Sequence, residues 1–256
     1  MKKQGTSVMN CVNLLREAQS VAVLSGAGVS TSAGIPDFRG PNGIYRRQYD
    51  VDPERIFDID FFLEAPSFFY RFHREFLTAL EKITPTYTHR FLAALERDGK
   101  LKGIVTQNID ALHQQAGSQS VLEIHGGVWS SRCISCGQSY DYKTSYKMTM
   151  AEEVPHCCGC GGVIKPNIVF FGEAVMHLNE CQSLMHKADL LLVLGSSLTV
   201  APAAILPSLC KGSIIVVNKG YVSPAYLAPD RIDIRIDGDL DEFFQELNTE
   251  LQLGIQ

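Results

Sequence analysis

The chain alternates short runs of apolar residues with longer segments in which apolar residues recur at helical spacing. Each of four runs is followed closely by small or polar residues, as buried parallel strands usually are. The runs are residues 21–24, 104–105, 190–194 and 214–217. Helical spacing is found at residues 12–19, 68–82, 89–98 and 240–251. The alternation predicts an α/β fold with a Rossmann-like parallel sheet.

Two segments interrupt this alternation. Residues 38–104 are mostly helical and rich in aromatic side chains, whereas residues 128–166 contain most of the cysteines and little apolar periodicity. We interpret both as insertions, a helical module and a cysteine-rich module, that together form a smaller domain. The Rossmann-like domain is then predicted to comprise residues 1–37, 105–127 and 167–256. Ligands bind beyond the carboxyl ends of the strands in such sheets, so the residues after the apolar runs are expected to line one crevice.

Composition narrows the range of functions. The 256 residues carry a formal net charge of −5, which does not support binding to nucleic acid, because that function usually needs a basic surface. No apolar run is long enough to span a bilayer, and the first residues lack the apolar stretch of a secretory signal. We therefore expect a cytoplasmic protein with neither a membrane nor a nucleic acid as partner.

Five of the eight cysteines lie within a short stretch of the second insertion. Two Cys-x-x-Cys pairs at this separation are typical of a zinc ribbon, in which four thiolates bind one Zn²⁺ tetrahedrally. The spacing selects as metal ligands Cys133, Cys136, Cys157 and Cys160. It leaves Cys158 as an additional thiol and His156 as an alternative ligand. A closed four-thiolate site has no open coordination position, so the metal is predicted to be structural.

Small residues follow the first and third apolar runs. Gly26 and Gly28 come after the first run, where a small-residue turn lets backbone amides approach a nucleotide pyrophosphate. The third glycine of the usual dinucleotide-binding fingerprint is missing, so a plain turn remains an alternative. Residues 195–197, Gly-Ser-Ser, follow the third run, and Asn218 follows the fourth.

Polar residues follow the second run, and a histidine stands before two glycines further on. Asn108 and Asp110 either cap the next helix or recognise the hydroxyl and amide groups of a ligand, and the residues alone leave both readings open. His125 is well placed for proton transfer near neutral pH, although most of the seven histidines are expected in surface or core positions. Residues 166–173 form an extended run that either is a buried strand or adds a peptide at its edge.

Together these strings resemble the sirtuins, the NAD-dependent protein-lysine deacylases. The resemblance covers residues 10–245 and includes the zinc ribbon. Its other motifs are the loop at 25–39, Thr-Gln-Asn-Ile-Asp at 106–110, the His-Gly pair at 125–126 and Pro-Asn-Ile-Val-Phe-Phe-Gly-Glu at 166–173. The string Pro-Asp-Phe-Arg-Gly-Pro-Asn-Gly at 36–43 is similar to the subgroup called class U.

The resemblance implies a set of site residues. Those expected to contact NAD are Gly26, Ala27, Gly28, Thr31, Asp37, Phe38, Arg39, Gln107, Asn108, Ile109, Asp110, His125, Gly195, Ser196, Ser197, Asn218, Asp239 and Leu240. The acylated peptide is expected in the cleft between the two domains, at Val169, Phe170, Phe171, Gly172 and Glu173. The residues implied to be catalytic are His125, Asn108 and Asp110.

The implied reaction is NAD-dependent deacetylation of lysine side chains in acylated proteins. The acyl oxygen attacks the anomeric carbon of the nicotinamide ribose, and nicotinamide leaves. His125 then deprotonates a ribose hydroxyl that attacks the alkylimidate, which leads to free lysine and O-acetyl-ADP-ribose. Phe38 is expected to shield the reactive sugar face and Arg39 to pair with the pyrophosphate. Mono-ADP-ribosyl transfer to protein and non-catalytic NAD sensing are alternatives that the sequence leaves open.

One stretch bears on the acyl chain. Sirtuins that prefer acidic acyl groups are similar to one another in a Tyr-x-x-Arg pair that binds the carboxylate. The matching stretch here is residues 70–73, in which His73 stands in the place of the arginine. A mostly neutral histidine pairs less well with a carboxylate, so we expect a preference for acetyl over succinyl and malonyl groups. Arg71 and Arg74 are alternative cations for the same pocket.

Overall fold

The structure is a computed structural model that describes residues 2–35 and 53–255. Its strands are β1 (Val21–Ser25), β2 (Leu101–Thr106), β3 (Val121–Glu123), β4 (Gly126–Cys133), β5 (Ser139–Asp141), β6 (Ile164–Ile168), β7 (Leu190–Leu194), β8 (Ser213–Val217) and β9 (Ile234–Ile236). Its α-helices are α1 (Lys2–Glu17), α2 (Ile59–Glu64), α3 (Pro66–Leu80), α4 (Tyr87–Arg97), α5 (Leu112–Gln115), α6 (Tyr142–Ala151), α7 (Leu178–Lys187) and α8 (Leu240–Leu251). None of the described helices is long and apolar enough to cross a membrane.

A six-stranded parallel sheet forms the centre of the larger of two compact units, which comprises Met1–Gly34, Thr84–Ile124 and His177–Gln256. Its strand order is β3-β2-β1-β7-β8-β9. Every residue of β1 and β7 is buried, as expected for central parallel strands with both faces covered. On one face, side chains of α1, α4 and α8 pack with the strands in one apolar core. On the other face, α7 lies against β2.

The order of the strands reverses at β1. The chain passes outward from β1 through β2 to β3 on one side, and later returns to β7 on the other side of β1. The carboxyl ends of β1 and β7 therefore form the switch point at which open α/β sheets bind ligands. The glycine-containing turns that follow these two strands lie at this point.

The smaller unit comprises Ile35–Ile83 and His125–Met176. Its strands form an antiparallel sheet in the order β5-β4-β6, and α2, α3 and α6 are its α-helices. Phe170 lies at the centre of an aromatic core in this unit. Its ring centroid is 5.9, 5.4 and 4.9 Å from the rings of Phe57, Phe62 and Phe69, respectively. Ring edges and faces meet in this core, an arrangement that adds to the stabilisation from burial.

The predicted fold class, a Rossmann-like parallel sheet with a second small unit, is confirmed. Strands β1, β7 and β8 coincide with apolar runs, and α8 has the predicted bounds. Helix α1 begins well before the predicted segment at residue 12, and α6 was not predicted. The predicted domain boundaries stay a prediction.

Asp241 in the first turn of α8 joins this helix to α4. Its Oδ1 accepts hydrogen bonds from the backbone N–H and the hydroxyl of Thr88 at 2.8 and 2.6 Å, and Oδ2 accepts from the Tyr87 N–H at 3.3 Å. These N–H groups belong to the first turn of α4, which has no intrahelical partners for them. The Asp241 carboxylate, which belongs to α8, therefore caps the N-terminus of α4.

We expect Asp241→Ala to destabilise the protein by about 2 kcal/mol, the upper end of the range of about 0.5–2 kcal/mol for loss of a helix cap, since the lost acceptor is charged. In a chain of this size that corresponds to a fall in Tm of about 4–8 °C. Thermal denaturation measures the change. Glu242→Ala, at the exposed neighbouring position, is the control and is expected to leave Tm within about 1 °C of the wild type. Equal melting of both variants would contradict the assigned cap.

Candidate active site

The turns after β1 and β7 touch through glycine backbone atoms. The Gly28 N–H donates to the Gly195 carbonyl oxygen at 2.9 Å, and the Gly26 N–H donates to the Leu194 carbonyl oxygen at 3.0 Å. A Cβ atom added to Gly28 would lie 2.6 Å from the Gly195 Cα, and one added to Gly26 would lie 2.8 Å from the Gly195 oxygen. Gly195 itself has a φ of +58°, and a Cβ there would lie 2.6 Å from the Val29 nitrogen. Glycine is thus required on both sides of the switch point.

Asp110 lies buried at the carboxyl end of β2 and makes two kinds of contact. Its Oδ2 accepts a hydrogen bond from the Ser30 hydroxyl at 2.6 Å, and its Oδ1 accepts from the Leu112 N–H at 3.0 Å. The side-chain N–H of Asn108 donates to the same Ser30 hydroxyl at 3.1 Å. Asp110 therefore accepts a hydrogen bond from the first N–H of α5, and it also faces the β1 turn. The two readings that the sequence left open are compatible.

Burial raises the pKa of Asp110, and the hydrogen bonds from Ser30 and Leu112 oppose this effect. The adjacent Ala111 has a φ of +52°, a left-handed conformation that is costly for a residue with a Cβ. A buried carboxylate and a strained residue side by side are typical of a functional site. Ser30 was missed by the sequence analysis, although it stands only two residues after Gly28.

Gln107 and Ser196 connect the ends of β2 and β7. The side-chain N–H of Gln107 donates to the Ser196 Oγ at 3.0 Å, and the Leu198 N–H donates to the same oxygen at 3.3 Å. The Ser197 hydroxyl lies 3.1 Å from that of Thr199. The structure thus brings together the predicted cofactor residues of the three turns that follow β1, β2 and β7.

Two neutral histidines lie beneath these turns. His113 Nε2 is 2.9 Å from the Ser25 hydroxyl, and the ring of His89 lies 4.6 Å from that of His113. Burial lowers the pKa of His89 to about 3 and that of His113 well below its ordinary value. Both rings are therefore uncharged at neutral pH. His89 and His113 are thus core histidines, as the sequence analysis expects for most of the histidines.

The more distant cofactor residues have partners within the protein. The Asn218 side-chain N–H donates to the carbonyl oxygens of Lys219 and Tyr221 at 3.2 and 3.1 Å. Asp239 caps α8 by accepting from the Glu242 N–H at 3.1 Å, and Leu240 is part of the apolar core. The predicted contact of Asn218, Asp239 and Leu240 with NAD stays a prediction.

The other predicted NAD contacts in the first part of the chain belong to the loop that follows β1. Thr31 is exposed, and its hydroxyl donates to the Gly28 carbonyl oxygen at 3.0 Å, whereas Ala27 begins a short 3₁₀-helix in the same turn. The remaining residues of the loop, Asp37, Phe38 and Arg39, lie outside the described residues. So does the string at 36–43 that is similar to class U.

His125 and the predicted peptide segment belong to the smaller unit, where they are joined. His125 lies in the turn between β3 and β4, and its carbonyl oxygen accepts a hydrogen bond from the Val169 N–H at 2.8 Å. Two residues further on, the Phe171 N–H donates to the Phe57 carbonyl oxygen, and the Ile59 N–H donates to the Phe171 carbonyl oxygen. The Phe171 side chain is exposed, whereas Phe170 is buried. The segment is therefore fixed through its backbone next to the candidate base.

The four cysteines selected by spacing form one cluster. Their sulfur atoms lie within 4.8 Å of one another, with Cys133 Sγ 3.4 Å from Cys160 Sγ and Cys136 Sγ 3.7 Å from Cys157 Sγ. A tetrahedron with Zn–S bonds of about 2.3 Å has edges of about 3.8 Å, so the cluster has the dimensions of a zinc site. Cys158 is exposed and does not belong to the cluster. The alternative ligand His156 is also absent from it.

Hydrogen bonds to two of the four cysteines, Cys133 and Cys157, stabilise the thiolate form that a metal requires. The Tyr140 hydroxyl donates to Cys157 Sγ at 3.1 Å and lowers the pKa of this thiol. Backbone N–H groups of Cys136 and Ser135 lower the pKa of Cys133. Such second-layer hydrogen bonds orient ligands in metal sites. The donor set and its surroundings therefore fit Zn²⁺.

Comparison with known proteins identifies the family. Residues 26–202 match the model of the Sir2 family, and the chain belongs to this family. It is 44% identical over 214 residues to the NAD-dependent protein deacetylase of Thermotoga maritima, a match that covers 82% of this chain and 85% of the relative. The family membership expected from the sequence is thus confirmed.

Solved structures of Sir2 proteins are similar along the whole chain. One contains a histidine-to-alanine variant with a deacetylated p53 peptide and 3′-O-acetyl ADP ribose. It has a TM-score of 0.89 at 39% identity and covers 97% of this chain and 100% of its own. Another contains Sir2 with a p53 peptide and NAD⁺, and it has a TM-score of 0.85 at 39% identity, covering 95% and 98%.

We expect Cys158→Ser to retain one equivalent of zinc and Cys157→Ser to lose it, because only Cys157 lies in the cluster. Loss of one of four thiolates is expected to unfold the small unit, since metal binding and folding are coupled in such sites. Metal content by elemental analysis and thermal denaturation measure the two effects. Zinc loss in Cys158→Ser, with retention in Cys157→Ser, would overturn the ligand assignment.

Proposed function

We propose that this chain is an NAD-dependent protein-lysine deacetylase that releases nicotinamide and O-acetyl-ADP-ribose. The observation that carries the proposal is the hydrogen bond between the His125 carbonyl oxygen and the Val169 N–H, because it ties the candidate base to the candidate peptide segment. A protein that only senses NAD does not need this link. The deacetylase named among the relatives and the solved structures with acylated products agree with this proposal.

NAD is a substrate in this reaction and supplies the electrophilic anomeric carbon. The acyl oxygen of the modified lysine forms a bond to that carbon while the bond to nicotinamide breaks. His125 then removes a proton from a ribose hydroxyl, and the resulting alkoxide attacks the acyl carbon. The bond between the acyl carbon and the lysine nitrogen then breaks as the nitrogen takes up a proton. Water adds to the acyl carbon that now bridges two ribose oxygens, and one of these C–O bonds breaks, so the acyl group stays on the ribose. A neutral imidazole is the form required of such a base.

The residues around Asp110 bind the nicotinamide half of NAD in this proposal. Ser30 and the Leu112 N–H hold the carboxylate in one position, so its orientation does not have to be set when the substrate binds. Asn108 and Asp110 then recognise a ribose hydroxyl and the carboxamide group, respectively. The glycine turns supply the close backbone approach that a pyrophosphate needs. The predicted NAD-binding residues next to these turns also include Gln107, Ile109, Ser196 and Ser197.

The zinc ion has a structural role in the proposal. We infer that Cys133, Cys136, Cys157 and Cys160 hold it, and that with all four positions taken it has no place for water or substrate.

The predicted division into a Rossmann-like domain and a small domain is also retained as a proposal. We infer a cytoplasmic location, which is supported by a cluster of cysteines suited to bind metal rather than to form disulfides.

We expect His125→Ala to lower deacetylation by about 10²–10⁴-fold, because removal of a general base commonly has this effect. Its NAD binding and Tm are expected to stay close to those of the wild type. The variant is expected to keep exchanging labelled nicotinamide into NAD in the presence of acetyl-peptide, since that step precedes the proton transfer. Turnover, exchange and thermal denaturation are measured on the same preparation.

Asp110→Asn is the matched comparison for His125→Ala. It weakens recognition of the carboxamide, so exchange and turnover are expected to fall together. A folded His125→Ala protein that deacetylates at the wild-type rate would refute the proposed base. Exchange that survives Asp110→Asn unchanged would refute the role given to this carboxylate.

The structure bears on the predicted preference for neutral acyl groups. His73 is buried and stacked on Phe69 at 5.0 Å, and burial lowers its pKa to about 3. It is therefore neutral at pH 7. Arg74 donates to backbone carbonyl oxygens of Glu152 and Glu153, both at 3.0 Å, so this arginine is engaged at the end of α6. Neither side chain offers a free cation to an acidic acyl group.

We therefore expect kcat/KM for an acetyl-peptide to exceed that for the matched succinyl-peptide by at least about tenfold, the factor that corresponds to about 1.4 kcal/mol. A propionyl-peptide, which is longer but uncharged, is the control for size. Its kcat/KM is expected to lie closer to the acetyl value. Equal efficiency with succinyl- and acetyl-peptide would contradict the argument from His73.

A further inference from the structure

Lys165 is a buried cation whose ammonium group contacts the segment 168–173 at three points. Its Nζ donates to the Ile168 carbonyl oxygen at 2.7 Å and to Glu173 Oε2 at 2.8 Å, and it lies 4.0 Å from the centre of the Phe170 ring. Glu173 Oε2 also accepts a hydrogen bond from the Phe170 N–H at 2.8 Å. The two side chains are 4% and 21% exposed. The ion pair thus contacts the Ile168 carbonyl oxygen, the Phe170 N–H and the Phe170 ring.

These contacts occupy the outer edge of the small sheet. Strand β6 is an edge strand, and the Val169 N–H just after it points toward the β4 side, where His125 accepts it. Adjacent residues of an extended chain direct their backbone groups to opposite sides, so those of Ile168 and Phe170 face the open edge. Lys165 and Glu173 therefore supply the hydrogen-bond partners that a neighbouring strand would otherwise give to the backbone groups of Ile168 and Phe170.

The Phe170 ring is packed in the aromatic core, whereas the backbone of the segment borders an open space. A cavity of about 320 Å³ lies beside the ion pair, with Arg132, Asn167 and Met176 among its lining residues. Side chains that border such a space lose contacts on that side, so they constrain the backbone less than a filled core does. Directional bonds from the ion pair therefore add to the backbone bonds of Val169 and Phe171 in fixing this segment.

The ion pair is also a costly way to fill space. Two charges taken out of water lose hydration, and neutral side chains of similar volume often stabilise a fold equally well or better. Burial lowers the pKa of Lys165, and the hydrogen bond that its ammonium group donates to Glu173 opposes this effect. The charges are therefore better explained by the geometry that they impose than by a gain in stability.

We propose that the Lys165–Glu173 ion pair positions the peptide-binding segment, so that Lys165 determines the affinity for the acylated peptide without touching it. This inference rests on the proposed function, which assigns peptide binding to residues 169–173. Lys165 is then a positioning residue. Its loss weakens the binding of the acylated peptide and leaves the binding of NAD unchanged.

The experiment compares Lys165→Met, Lys165→Arg and the double variant Lys165→Met/Glu173→Gln with the wild-type chain. We expect Lys165→Met to raise KM and Kd for an acetyl-peptide by about tenfold, which equals about 1.4 kcal/mol of binding free energy. Zinc content, Kd for NAD and kcat at saturating peptide are expected to stay within about twofold of the wild type. Lys165→Arg keeps a cation with several N–H donors and is expected to restore most of the affinity.

The double variant separates positioning from folding. It leaves no unpaired buried charge, and the glutamine oxygen still accepts from the Phe170 N–H, so its Tm is expected to lie near that of the wild type. It lacks the bond to the Ile168 carbonyl oxygen, so its KM for peptide is expected to stay raised. Lys147→Met, which removes an exposed lysine of the same unit, is the control and is expected to leave peptide KM unchanged.

Two results would overturn the proposal. One is a folded Lys165→Met protein, or a folded double variant, that binds the peptide like the wild type. The other is an equal loss of NAD and peptide affinity together with a lower Tm, since a merely structural residue would cause it. A wild-type protein that binds acetyl-peptide but releases no nicotinamide from NAD would instead refute the proposed function, and the peptide Kd values would still test the role of Lys165.

Discussion

The backbone contact between the turns after β1 and β7 is the constraint on which the site depends. Because Gly26, Gly28 and Gly195 lack side chains, the two turns hydrogen-bond directly and no Cβ separates them. Ser30 is carried on the same turn as Gly28, and its hydroxyl donates to Asp110 at 2.6 Å. A larger residue at any of the three positions would push the β1 turn outward and would move the polar cluster with it.

Each of the two units also buries polar groups that lose hydration when they leave water. The Asp110 carboxylate, the neutral His113 ring and the Lys165 ammonium group are each almost completely buried. Each has partners inside its own unit, which is the usual condition for burying such groups. Rigid placement is the result, since none of them can move without leaving a donor or an acceptor unpaired. Burying such groups costs stability, and the hydrogen bonds that they make offset only part of this cost.

The sequence predicted those parts of the structure whose signal is local. The run at 190–194 predicted β7 because all five residues are buried, and two Cys-x-x-Cys pairs predicted the metal cluster because the spacing itself encodes the geometry. Helix α6 gave no apolar periodicity, since the residues on its buried face are Ser145 and Thr149. The partnership of Ser30 with Asp110 joins residues far apart in the chain, so only the folded backbone shows it.

The strand order also has a consequence for synthesis on the ribosome. Strand β1 is made early, yet its partner β7 ends at Leu194, so one side of this apolar strand has no neighbour until most of the chain exists. At about 5–20 residues per second, the wait lasts about 10–30 s. The strands and cysteines of the smaller unit emerge within that interval and pair over short distances. The nascent chain therefore completes its metal-binding part first, while an unpaired apolar strand depends on chaperones or on the ribosome surface for protection.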